Sequence, residues 1–168
     1  MNPAFTATPG PASLAPNTTR VFPESFMRRI LVAIDGSEDA LRALDFAVKV
    51  ALFKPPAELH ILTVQAPADS NKAWEIYVTP ERIHQVATER SNAILDAAAK
   101  HLENSGCAYA LETLEGEAAA TIAARAAQLE CESIVMGTHG RGQLGILLLG
   151  SVAQRVVHHA TVPVTLVK

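Results

Sequence analysis

From Arg29 onward the hydrophobic positions fall into two alternating textures. Short apolar runs recur at ILVAID (30–35), ELHILTV (58–64), SIVMG (133–137) and VPVTLV (162–167), while YALETL (109–114) alternates apolar with polar. Continuous runs of this length predict strands covered on both faces, and strict alternation predicts a strand with one wetter face. Between them lie stretches whose apolar residues return every three or four positions, the period of an amphipathic helix.

Asp35-Gly36-Ser37 turns the chain out of the first strand. Ser37 is the expected N-cap, Glu38 and Asp39 suit the positive end of the helix dipole, and Leu41, Leu44, Val48 and Ala51 mark the buried face. A second helix opens at Thr79-Pro80-Glu81, a capping residue followed by proline at the first helical position. Ile83, Val86, Ala87, Ile94, Ala97, Ala98 and Leu102 form its stripe, and Gly106 is placed to end it in the left-handed conformation. The alanine-rich stretch Glu117 to Leu129 predicts a third helix, and roughly Gly150 to His159 a fourth. Five strands alternating with four helices define an α/β protein. Each parallel crossover needs a helix, so the expected architecture is a single doubly wound five-stranded parallel sheet with helices on both faces.

Composition narrows the class. The 168 residues suffice for one compact domain; 49% are hydrophobic and 18% charged, as in an ordinary globular protein. A formal charge of −3 argues against a general nucleic-acid binder, and no apolar run approaches the roughly 20 residues that cross a bilayer, so neither nucleic acid nor membrane is an expected partner. Cys107 and Cys131 are too far apart for a CxxC pair and are expected as buried reduced thiols, which fits a cytoplasmic protein. Residues 1–27 hold five of the ten prolines and show no hydrophobic periodicity or secretory signal. They are expected to form a flexible extension ahead of the folded domain, 28–168.

The chemistry concentrates in GTHGRGQLGILLLGS, Gly137 to Ser151, which contains five of the nine glycines. Three phosphate-loop patterns overlap there. Gly140, Gly142 and Gly145 spell GxGxxG, but a dinucleotide site needs an acidic residue about 20 positions on, and no acidic residue follows Glu132. Gly145 to Ser151 imitate a P-loop without its lysine. The remaining spacing, G-x2-G-x9-G-S at Gly137, Gly140, Gly150 and Ser151, has a coherent mechanism. Gly137 and Gly140 would bend through positive φ and approach a ligand without a Cβ, and successive N–H groups would form an anion-binding concavity. Ser151 offers a hydroxyl, and the N-terminus of the fourth helix adds free N–H groups and partial positive charge. Arg141 is close enough in sequence to neutralise a phosphate, or is a solvated surface arginine.

Together with ILVAIDGSEDA at the first strand, SIVMGTHGRGQLGILLLGSVAQRVVHHATVPVTLV resembles the universal stress protein family over roughly residues 28–168. The glycine spacing is the version associated with ATP-binding members. The resemblance implies strand order 3-2-1-4-5, a site between strands one and four, and a homodimer. By that likeness Asp35 contacts the nucleoside or a phosphate-bound Mg²⁺, and Ala33 and Val64 meet the adenine with backbone groups. Met136, Gly137, Gly140, Gly150, Ser151 and Val152 line ribose and phosphates. The expected function is an ATP-binding regulatory protein of the stress response, acting through protein partners the sequence does not identify. A slow ATP hydrolase or phosphotransferase of the same fold is one alternative, and an interaction module without nucleotide another.

Other features have plainer readings. His158 and His159 are adjacent, so on a helix they point about 100° apart and make a poor metal pair. His139, inside the glycine loop, is expected to orient that loop by a hydrogen bond. The segment 65–78 carries Trp74 and Tyr77 and either lids the site or packs over the second helix. The fifth strand, 162–167, would be an exposed apolar edge in a monomer, and pairing with its copy across a two-fold axis would cover it.

Overall fold

The computed structural model describes residues 27–67, 79–140 and 149–168. Strands β1 (Arg28–Ala33), β2 (Ala57–Gln65), β3 (Ala108–Glu115), β4 (Ser133–Gly137) and β5 (Val164–Val167) alternate with helices α1 (Glu38–Phe53), α2 (Pro80–Leu102), α3 (Ala118–Gln128) and α4 (Ser151–His159). All strand pairings are parallel, and the order is β3-β2-β1-β4-β5. Both the doubly wound architecture and the strand order match expectation. The helical boundaries follow local chemistry. Ser37 Oγ accepts from Ala40 N at 3.2 Å, Thr79 Oγ1 from Arg82 N at 3.4 Å, and Glu117 Oε2 from Ala120 N at 2.9 Å.

The strand pleat divides the core in two. Ile30 and Val32 of β1, Leu59 and Ile61 of β2 and Val135 of β4 pack under α1 and α2, against Ala40, Ala43, Leu44, Ala47, Ala98 and Leu102. Leu31, Ala33, Leu62, Ile134 and Met136 face the other way, against Ala119, Ile122 and Ala126 of α3 and Ala153 and Val156 of α4. β1 is therefore buried on both faces, and each fully buried Leu or Ile contributes about 1.5–3 kcal/mol.

Several expectations need correction in detail. The buried stripe of α1 is made of alanines around Leu44, while Leu41 is exposed. On α2, Val86 and Ala97 lie outside, and the buried residues include Ser91. Gly106 does adopt a positive φ of 72°, but α2 has already ended at Leu102, with Glu103 as its C-cap, so the glycine belongs to the turn that follows. β1 ends at Ala33 rather than Asp35, although Ile34 N still donates to Leu62 O at 2.9 Å. β5 is shorter than 162–167: Pro163 precedes it and uses its carbonyl to accept from Ile134 N at 2.9 Å. Both cysteines are free, and burial pushes the Cys131 thiol up to about 11.

Candidate functional site

At the C-terminal end of β1 the chain turns toward one face of the sheet, and at the end of β4 toward the other. Neighbouring parallel strands whose helices part in this way leave a crevice between them. A cavity of about 360 Å³ opens there. Nine of the residues singled out from the sequence line it: Ala33, Asp35, Val64, Met136, Gly137, Gly140, Gly150, Ser151 and Val152. Arg141, Trp74 and Tyr77 lie outside the described residues. Leu62, Ala118 and Ile122 enlarge the apolar lining, and Thr138 and His139 add polar groups. The size and the mixture suit a small organic ligand with a polar end.

The positive φ expected of Gly137 and Gly140 is not found, and Gly150 has none either. All three leave room for other parts of the protein. A Cβ on Gly137 would lie 2.7 Å from Asp39 Cβ and 3.0 Å from Ala40 N, so the glycine lets the first turn of α1 rest on β4. A Cβ on Gly140 would lie 2.7 Å from Asp35 Oδ2, and one on Gly150 would lie 2.9 Å from the Thr138 carbonyl oxygen. Asp35 and Gly140, remote in sequence, thus share one wall. The other Asp35 oxygen, Oδ1, accepts from Ser37 N at 3.0 Å, which aims the carboxylate across the turn.

Asp39, which the sequence marks only as a first-turn acid, organises the loop from below. Its Oδ2 accepts from Thr138 Oγ1 at 2.9 Å and from His139 N at 3.1 Å, and lies 3.2 Å from His139 Nδ1. Thr138 has spent its one hydroxyl hydrogen on Asp39, yet its Oγ1 also lies 2.9 Å from Nδ1. Both contacts of Nδ1 are satisfied only if that nitrogen carries the proton. Arg42 pairs with the second carboxylate oxygen. Burial alone would raise the Asp39 carboxyl, but hydrogen bonds from Thr138, Arg42 and His139 outweigh it and hold it below its ordinary 3.8. A depressed native value means that the stability from these bonds is full above 3.8 and drains away as pH falls through the lower native value. The expected loop-orienting bond of His139 is present, with Asp39 as its partner.

The four helix N-termini are not alike. Side chains of Ser37, Thr79 and Glu117 cap α1, α2 and α3. Hydrogen bonding to Ala120 N is the main reason the Glu117 carboxyl is held below its usual range. Helix α4 begins at Gly150 with no side-chain cap, and its first residues, Ser151 and Val152, line the cavity. The first N–H groups of a helix have no partner within it and carry partial positive charge, and here Ser151 and Val152 bring them to that space. Among the described residues no group of three His, Cys, Asp or Glu side chains could hold a metal ion. A cation beside Asp35 would need most of its oxygen ligands from a bound phosphate and water, an arrangement that suits Mg²⁺. No helix among the described residues is long and apolar enough to cross a membrane.

With this fold and crevice, the chain belongs to the universal stress protein family, whose description matches residues 27–168. It is 32% identical over 152 residues to universal stress protein MJ0531 of Methanocaldococcus jannaschii, covering 86% of this chain and 84% of that one. To YxiE of Bacillus subtilis it is 33% identical over 146 residues, covering 83% and 98%. Among solved structures, hypothetical protein MJ0577 has a TM-score of 0.71 at 27% identity, over 84% of this chain and 95% of that one. The same fold occurs in a universal stress protein in complex with cAMP, 24% identical with TM-score 0.64 over 84% and 97%. It occurs also in the Archaeoglobus fulgidus protein in complex with dAMP, 22% identical with TM-score 0.59 over 85% and 98%.

Proposed function

We propose that the cavity binds an adenine nucleotide, and that nucleotide occupancy governs the protein's association with partners. The observation that carries this reading is the uncapped start of α4, set in the same cavity as an apolar lining. The base lies against Leu62, Val64 and Ile122, within reach of the Ala33 and Val64 backbone. The phosphates meet the N–H groups and hydroxyl at Ser151 and Val152, beside Gly137, Gly140 and Gly150. Asp35 lines the same cavity beside Gly140, where it can reach the ribose or a phosphate-bound Mg²⁺. Nucleotide complexes of distant proteins of this fold support the ligand class, and Mg-ATP is the form we propose. A regulatory role in the cytoplasm is preferred to phosphoryl transfer: Asp39 and His139 are engaged with each other, and among the described residues Asp35 is the carboxylate that lines the cavity.

Calorimetric titration of the nucleotide-stripped protein with Mg-ATP tests the proposal. Saturable binding near one nucleotide per subunit is expected, weakened by about 1–2 kcal/mol in Ser151→Ala, the scale of one hydrogen bond to a charged group. Absence of heat at two temperatures would sink the nucleotide reading and leave an interaction module. We further propose a homodimer paired through the β5 edge. Sedimentation at micromolar concentration is expected to give twice the chain mass, and a monomer mass would overturn the pairing.

A further inference from the structure

Thr138 and His139 lead directly into Gly140, and the protein holds them from several sides. Thr138 N donates to Val167 O of β5 at 2.8 Å, and the Thr138 carbonyl accepts from Gly150 N at 2.9 Å. The side chain that reaches them from α1, a different part of the chain, is Asp39, whose Oδ2 receives both Thr138 Oγ1 and His139 N. Ser37 Oγ adds a longer contact to His139 O at 3.4 Å. Asp39 is not itself part of the cavity lining.

We infer that Asp39 is the positioning residue of the phosphate end. Through Thr138 and His139 it fixes where Gly140 stands, and through the Thr138 carbonyl it fixes Gly150 at the start of α4. This rests on the nucleotide reading above and adds to it a residue that touches no ligand. A loop already ordered is one the ligand need not order on binding, so its affinity is greater for the part of the ligand that meets the loop. The apolar end, at Leu62, Val64 and Ile122, belongs to β2 and α3, whereas the hydrogen bonds of Asp39 run to Arg42, Thr138 and His139. A ligand lacking phosphate therefore senses the clamp less, through its ribose alone.

The test compares adenosine with AMP by calorimetry on the full chain, in wild type, Asp39→Ala and Asp39→Asn. The affinity ratio of AMP to adenosine is expected to fall by about tenfold in Asp39→Ala, with the smaller loss on adenosine. Asp39→Asn, which keeps one acceptor oxygen, is expected to recover part of the ratio. Should Asp39→Ala fail to fold, Thr138→Val removes one donor to the same oxygen and Thr138→Ser restores it, with the same ratio as readout. An unchanged ratio in a wild type that prefers AMP, or an equal loss for both ligands, overturns the inference alone. A wild type with no preference for AMP overturns the nucleotide reading and this inference with it.

Discussion

Gly137→Ala is expected to lower the stability of the fold by about 1–3 kcal/mol, the usual cost of forcing an extra methyl into a packed site. The added Cβ would lie 2.7 Å from Asp39 Cβ, 2.9 Å from the Asp39 carbonyl carbon and 3.0 Å from Ala40 N. Two of these are backbone atoms and the third is bonded directly to backbone, so no flexible side-chain end can move aside. Relief requires α1 to lift from β4, which loosens the packing of Ala40, Ala43 and Ala47. Thermal unfolding reads the effect as a drop of roughly 2–4 °C in Tm for each kcal/mol in a chain of this size. An unchanged Tm would mean that α1 does not sit this close to the sheet.

The neighbouring substitution Gly140→Leu is expected to do the opposite, sparing the fold and removing the ligand. Here the new Cβ meets the end of one side chain, Asp35 Oδ2 at 2.7 Å, with Asp35 Cγ next at 3.8 Å. Swinging the carboxylate aside gives up its bond from Ser37 N but moves no backbone, and no positive φ penalises the side chain. Both the leucine and the displaced carboxylate then crowd the cavity beside Gly150 and Ser151. Nucleotide affinity is expected to fall by more than about tenfold, while urea unfolding stays cooperative with a midpoint close to that of wild type. Undiminished affinity would place the ligand elsewhere. Two glycines three residues apart thus separate the requirements of the fold from those of the cavity.

The order of elements and the parallel winding were legible in the sequence because apolar runs, caps and turns all pointed one way. The strand order followed from the resemblance to the universal stress protein family. The place of the glycine-rich stretch was legible because a parallel sheet of this winding has a defined switch point and the stretch follows the strand that reaches it. Ala33, Asp35, Val64, Met136 and Val152 came from the family resemblance. What escaped was side-chain geometry. On α1, Leu44 and Ala51 were placed correctly, but Leu41 was counted in and Ala40, Ala43 and Ala47 were passed over. Leucine outweighs alanine in any hydrophobic pattern, whereas a helix lying close on a sheet selects alanine. That same closeness explains Gly137, whose need arises from Asp39 and Ala40 across the interface rather than from its own φ. Asp39 looked like one more acid at a helix start, since no local spacing signals a partner 100 positions away.

That separation has a consequence for the making of the protein. β1 finds its inner neighbour, β4, only across the span from Ala33 to Ser133. At a ribosomal rate of about 5–20 residues per second, roughly 5–20 s pass between the emergence of one strand and that of the other. During that interval the apolar β1 has β2 on one edge and nothing of its own sheet on the other. Long-range pairing of this kind also places the domain among slower folders. The crevice is completed late: the wall made by β1, β2 and α3 waits for β4, for the carboxylate of α1 to close on the residues behind it, and for the start of α4.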